Sequence, residues 1–439
     1  MARSWTLLLA LAALPLLAAC DHAERPPSPA PPVAAVAPEP APEPPPTPAP
    51  RPPPWGLSAP PPPPSASPTD EHLKAVTAWL DTADPEARRT IADGLQAQLG
   101  PDGTRAALAA LRARRPVKAG VHRRSITVGD ARLPYLVVVP RGYRPGEPIP
   151  LHLGLHGGNP VSTAESCARQ WSTPARKPFI LACPHTLAGH WWTPDGDATA
   201  RAVLDAVTAE FDIDTDRITL GGMSNGGTGT WHLAIKYPWL WAAAVPRCAA
   251  HIPNDAYNAN MARLPILLIH GDADPQIEID SSRAMVQSLA RAGNDARLIE
   301  VPDGRHSFFA ELNPTVITFL GAASRALPDR FSYTPIPGAL VERIYWVAAP
   351  MTTALTASIT VHPDRVTVEL VADTWPDHLT VYLPDSLVPD DLPVELKRPG
   401  RPDLHAWPAR SAATVLQSWA ETHDLRRTWA RAIDLDLPP

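Results

Sequence analysis

The sequence predicts an α/β protein: a mostly parallel eight-stranded sheet with helices on both faces, followed by a small C-terminal β-rich domain. Three observations lead there. From Val121 onward, short apolar β-branched runs alternate with longer helical patterns, the spacing of a parallel sheet. The fifth such run leads directly into a glycine-rich turn holding Ser224, and a helical pattern follows at once. Near Ser324 the texture changes, and short strands follow one another with few helices between them.

The chain divides into residues 1–20, 21–66, 67–116, 121–323 and 324–439. The first segment reads as a targeting signal. Arg3 is its positive end, Leu7 to Leu17 is apolar, and the run is short of the ~20 residues that cross a bilayer. Leu17-Ala18-Ala19-Cys20 resembles a bacterial lipobox, which implies lipidation of Cys20, a lipid-bilayer anchor and an envelope location, periplasmic or surface-facing. An ordinary cleaved signal peptide or an uncleaved anchor is the competing reading. Residues 21–66 are rich in Pro, Ala, Glu and Ser; such a segment cannot bury a core and favours extended polyproline II, so it reads as a disordered spacer.

Ser67-Pro68-Thr69-Asp70 has the chemistry of a helix start, with Ser67 as cap. Two more helices follow, from Asp84-Pro85 to Leu99-Gly100 and on to Arg115 before Pro116. They form a small packing unit without evident chemistry. Strands are then expected at Arg123–Val128, Leu133–Val139, Pro150–Leu155, Phe179–Cys183, Ile218–Leu220, Ala242–Arg247, Pro265–Ile269 and Ala296–Val301. Helices are expected at Thr163–Trp171, Ala198–Phe211, Asn225–Tyr237, Ser281–Ala292 and Phe309–Leu320. Gly129-Asp130 joins the first two strands as a hairpin turn. In the C-terminal module, strands are expected at Tyr345–Val347, Ala357–Val361, Arg365–Leu370, Leu379–Tyr382 and Ala432–Leu437, with a helix at Ala412–Thr422.

Composition narrows the function classes. Hydrophobic content of 44% supports a real core, and the net charge of −6, with both signs mixed, offers no nucleic-acid surface. Beyond Cys20, only Cys167, Cys183 and Cys248 remain; an odd count permits one bridge and one free thiol, and three buried thiols are equally admissible. No metal-binding spacing such as His-Glu-x-x-His or Cys-x-x-Cys occurs, so neither metal nor cofactor is expected.

The chemistry lies in four motifs. Gly222-Met223-Ser224-Asn225-Gly226, between a strand and a helix, is a nucleophile elbow: a strained turn lifts the Ser224 hydroxyl above the sheet and aims the Asn225 N–H at the same space. A nucleophilic serine needs a base, a carboxylate to orient it, and donors for the oxyanion. His306 follows the last strand and is the base. Asp274 follows the seventh strand and is the carboxylate, with Asp272 as competitor and His270 as a structural residue. His156-Gly157-Gly158-Asn159 follows the third strand, so Gly158 or Asn159 supplies the second oxyanion N–H beside Asn225. Trp191 and Trp192 lie where active-site loops emerge and are candidate aromatic walls of a substrate pocket; core packing is the stronger reading for them, and more so for Trp231, Trp239 and Trp241.

With these motifs in this order, the chain resembles the α/β-hydrolase superfamily. Within it, the chain is similar to bacterial esterases of the polyhydroxybutyrate depolymerase, feruloyl esterase and prolyl-oligopeptidase-like group. The resemblance runs from about Val121 to Leu320. Arg343-Ile344-Tyr345-Trp346 with Leu379-Thr380-Val381-Tyr382-Leu383 is similar to a β-domain appended to some lipoprotein members. The resemblance implies a serine hydrolase acting on small or polymeric esters, with a Ser224-Asp274-His306 triad. Arg305 departs from the glycine many members carry before the histidine; it narrows the acyl pocket or sets a cation beside an acidic substrate. A serine peptidase of prolyl-oligopeptidase type and an inactive envelope binding lipoprotein are the alternatives.

Overall fold

The computed structural model describes residues 66–439, except 113–116, 159–162, 172–177, 187–188, 252, 338, 340 and 438–439. Residues 1–65, with Cys20 and nearly all of the Pro-rich segment, lie outside the described residues. Three helices come first: α1 (Asp70–Asp81), α2 (Pro85–Gln98) and α3 (Gly100–Arg112). Thr69, rather than Ser67, caps α1, because its N–H donates to the His72 Nδ1 at 3.0 Å. Asp84 caps α2 by accepting from the Glu86 N–H, with Pro85 at the first helical position.

The main sheet comprises β1 (Gly120–Val128), β2 (Ala131–Val139), β3 (Ile149–Leu155), β4 (Ile180–Pro184), β5 (Ile213–Met223), β6 (Ala243–Arg247), β7 (Leu267–Gly271) and β8 (Arg297–Val301). Their spatial order is β1-β2-β4-β3-β5-β6-β7-β8. The hairpin β1/β2 and the pair β2/β4 are antiparallel, and every pairing from β4 to β8 is parallel. Between the strands run α4 (Ala164–Gln170), α5 (Pro194–Glu210), α6 (Asn225–Lys236), α7 (Asp255–Asn258) and α8 (Asp280–Arg291), and α9 (Asn313–Ala322) follows β8.

Alternation along the strands feeds two cores. Val137, Leu153 and Leu220 join residues of α5, α6 and α8 on one face, while Leu136, Leu181 and Ile269 join α4 and α9 on the other. This is the predicted parallel sheet covered on both sides. A Cys167–Cys183 disulfide ties α4 to β4, and Cys248 is a buried free thiol.

The C-terminal region holds β9 (Arg330–Tyr333), β10 (Val341–Ile344), β11 (Val347–Met351), β12 (Leu355–Val361), β13 (Val366–Ala372), β14 (His378–Tyr382), β15 (Val394–Lys397), β16 (Leu404–Ala406), α10 (Ala412–Thr422) and β17 (Ala432–Asp436). They form one sheet of order β10-β11-β14-β17 and another of order β16-β15-β13-β12-β9, and residues of both share one apolar core. Tyr345 and Trp346, expected in a strand, instead make the turn between β10 and β11. Tyr345 takes a left-handed φ of 50°, which no strand accommodates.

Two junctions tie these parts together. Leu73, Val76, Leu95 and Leu108 of α1–α3 share a core with Val415, Leu416 and Trp419 of α10, so the N-terminal helices close over the C-terminal region. The second junction is ionic. Buried Asp424 accepts from Arg325 and from the Thr215 hydroxyl at the start of β5, and Arg427 reaches Asp216 on the same strand. Burial pushes the Asp424 carboxyl up, but Arg325 and Thr215 pull harder, and it titrates below the ordinary carboxylate range.

Candidate active site

Because β3 and β5–β8 run parallel, the segments after them emerge at one edge of the sheet, where open α/β sheets bind ligands. Ser224 stands there between β5 and α6 with φ 58° and ψ −120°, a strained conformation for a residue with a side chain. Its N–H donates to the Arg247 carbonyl at the end of β6 at 2.9 Å, and its carbonyl accepts the Thr228 N–H, opening α6. The glycines allow this crowding. A Cβ on Gly222 would lie 2.5 Å from the Gly226 carbonyl oxygen, and one on Gly226 would lie 2.3 Å from that of Leu155.

Gly158 lies against Asn225: a Cβ on it would come within 2.9 Å of the Asn225 Cβ. Asn159 falls outside the described residues. The Asn225 amide donates to His190 Nδ1 at 2.6 Å, and the His190 ring stacks on Trp192 with centroids 4.3 Å apart. Trp192 is 40% exposed. Trp191 is fully buried, which corrects its reading as a pocket wall. Its Nε1 donates to the His156 carbonyl, and its Cβ fills the space that Gly229 of α6 leaves free. It props the loop before Gly158 from inside.

Asp274 follows β7 with its side chain buried. Its Oδ1 accepts the N–H groups of Gln276 and Ile277, and its Oδ2 lies 2.7 Å from His306 Nδ1, so all of these partners favour the ionised form. Burial raises the carboxyl pKa, and the His306 and backbone hydrogen bonds more than reverse this, leaving it below the ordinary value. Asp272 is exposed, and its competing claim finds no geometric support. His270 is wholly buried. Its Nε2 meets the Ile277 carbonyl at 2.9 Å and lies 3.3 Å from Asp274 Oδ2, while its Nδ1 meets the Ser282 hydroxyl at 2.7 Å. It braces the loop that carries the carboxylate.

His306 is half-buried after β8, and Arg305 beside it is exposed. Two residues of this site left no sequence signal. Arg247, buried at the end of an apolar strand, donates to the Phe308 and Phe309 carbonyls and to Asn313 Oδ1, holding the chain just after His306. Burial lowers its pKa to about 9. The Cys248 thiol bonds the Ser307 carbonyl, and burial raises its pKa to about 11, so it stays protonated. Cys248, Asp274 and His306 bring one donor atom each within 4.8 Å of one another, the one such grouping found among the described residues.

The sheet order and the strained serine turn define the α/β-hydrolase fold. Residues 195–324 match the phospholipase/carboxylesterase family of that fold. The chain is 37% identical over 84 residues to the Nocardia uniformis subsp. tsuyamanensis protein named "Putative esterase NocK", covering 19% of this chain and 24% of that one. It is 30% identical over 132 residues to the bifunctional acetylxylan esterase/xylanase XynS20E of Neocallimastix patriciarum, covering 28% of this chain and 19% of that one. The chain thus spans a quarter or less of these two curated relatives. Among solved structures, a thermostable esterase superposes with a TM-score of 0.42 at 24% identity, over 47% of this chain and 63% of that one.

Burial makes two histidines titration liabilities. His156, whose Nδ1 meets the Gly157 carbonyl and whose Nε2 accepts the Thr186 N–H, has its pKa lowered by burial to about 4, and burial lowers His251 likewise to about 4. A depressed folded-state histidine contributes stability that is complete above the unfolded value, near 6.5, and is lost as pH falls towards 4. The expected loss is roughly 3 kcal/mol per histidine at full protonation. Thermal unfolding scanned from pH 7 to pH 4.5 should show a falling Tm, with a shallower slope in His251→Gln. A flat profile would contradict the assignment.

Proposed function

We propose that this protein is a serine hydrolase that cleaves carboxylic esters through an acyl-enzyme. One observation carries the reading: the short His306 Nδ1–Asp274 Oδ2 hydrogen bond lies at the same sheet edge as the strained Ser224 turn. The esterase names of the two matched relatives support an ester as the bond cleaved.

In this reading the Ser224 Oγ attacks the ester carbonyl carbon while His306 Nε2 takes the hydroxyl proton. Ionised Asp274 holds the Nδ1–H tautomer and stabilises the imidazolium. The oxyanion accepts from the Asn225 N–H and from an N–H of the Gly158-Asn159 segment. Collapse expels the alcohol, protonated by His306. Water then attacks the acyl-enzyme with His306 as base, releasing the acid and restoring Ser224. Each proton returns through the same imidazole.

Trp192 and Arg305, the exposed candidates at this edge, are the proposed substrate contacts. Cys20 is the proposed lipid attachment point, placing the enzyme on a bacterial envelope membrane; the support is the Leu17-Ala18-Ala19-Cys20 sequence.

The purified protein should react with a fluorophosphonate probe and turn over p-nitrophenyl butyrate. Ser224→Ala should abolish both, and Asp274→Asn should lower kcat by ~10⁴ while Asp272→Asn stays near wild type. Turnover retained in folded Ser224→Ala would sink the reading. For the anchor, radiolabelled palmitate fed to expressing bacteria should label the wild-type chain and not Cys20→Ser; equal labelling of both would place the lipid elsewhere.

A further inference from the structure

A cavity of about 880 Å³, lined by none of Ser224, Asp274 and His306, lies between the hydrolase sheet's outer helices and the C-terminal region. Its floor is one face of α5, where Pro194, Asp197, Ala198, Arg201, Leu204 and Thr208 recur at helical spacing. From Pro194 to Thr208 that face extends ~20 Å at ~1.5 Å per residue. The C-terminal end of α6 forms one wall, and Arg343, Tyr345, Glu421 and Trp429 of the C-terminal region form the roof. A space this long suits a chain-like ligand better than a compact one.

The lining chemistry narrows the class. Cationic Arg201, Lys236, Arg325, Arg343 and Arg427 are matched by anionic Asp197, Asp205, Glu342, Glu421 and Asp424. Most are already paired: Asp197 with Lys236 and His232, Arg325 with Asp424, Arg343 with Glu421, Arg201 with Asp205. Paired charges leave no net field to draw in an ion, yet they present many hydrogen-bonding edges. The paired guanidinium, ammonium and carboxylate groups that line the cavity supply both donors and acceptors. Between them stand the aromatic rings of Trp192, Tyr237, Trp239, Tyr345 and Trp429. Aromatic side chains set among paired donors and acceptors match a chain of sugar rings, each with apolar C–H faces and hydroxyls that donate and accept.

We propose that this cavity is a second binding site, for a neutral oligosaccharide chain. It is linked to the reaction centre at one end. Trp192 lines the cavity, stacks on His190, and His190 holds the side chain of Asn225 next to Ser224. A glycan seated along α5 reaches Trp192, which His190 connects to the Asn225 side chain, and this suits an enzyme whose ester is carried on that glycan.

The binding claim does not depend on the reaction at Ser224, so it is tested in the Ser224→Ala protein. Calorimetric titration would use xylohexaose, cellohexaose and chitohexaose-N-acetylate as neutral probes and hexagalacturonate as the charged one. Ala198 is exposed on the α5 face, so Ala198→Trp fills the groove without entering the core. Saturable binding of a neutral hexasaccharide, weakened about tenfold or more by Ala198→Trp and several-fold by Arg201→Ala with Tm unchanged, is the expected result. Three results overturn the proposal: no binding of any neutral probe, neutral binding indifferent to Ala198→Trp, or binding of hexagalacturonate alone. Because the titration measures binding and not turnover, none of these bears on the hydrolase reading.

Discussion

The architecture depends on one crowded contact, where the end of β5 and the start of α6 press against the end of β3. Gly222 and Gly226 bring backbone to within a distance that no Cβ tolerates, and Leu155 supplies the opposing carbonyl. The chain between them has to turn sharply, and Ser224 carries the turn at φ 58°. Such a conformation costs on the order of 1–3 kcal/mol and persists only where its surroundings over-determine it. Here the Arg247 carbonyl on β6 and the first turn of α6 hold it on either side.

The same strand ends carry the rest of the candidate machinery. Arg247 contributes its carbonyl to the Ser224 N–H and its buried guanidinium to the carbonyls just beyond His306, so one residue bridges the serine turn and the histidine loop. His270 and the Gln276 and Ile277 N–H groups fix Asp274 in the same way. Sequence places these supports far apart, and only the parallel register of β5 to β8 gathers them. Further out, the Asp424 network clamps the start of β5 to the C-terminal region, so the roof of the α5 cavity rests on the strand that ends at Ser224.

Much of this was legible beforehand, for physical reasons that differ by element. The central strands stood out as short apolar runs closed by turn residues, the polar β1 through its hairpin turn to β2, and the glycines flanking Ser224 announced a turn that other residues cannot make. Asp274 and His306 were legible through order along the chain. Trp191 was not: an indole after a strand looks the same whether it faces a pocket or fills the gap beside Gly229, and only packing decides. Tyr345-Trp346 read as strand because both are β-formers, whereas the short hairpin between β10 and β11 claims them for its turn. The union of α10 with α1–α3 was hidden for another reason. It joins residues about 300 positions apart through ordinary amphipathic faces, which carry no sign of their partner.

The proposed mechanism requires a covalent bond to Ser224. Rapid acid quenching of the protein during turnover of p-nitrophenyl butyrate, followed by peptide mass mapping, tests it most directly. A butyryl adduct on the peptide containing Ser224, and on no other peptide, is the expected result. An acyl group found on another residue, or turnover with no adduct at any quench time, would contradict it.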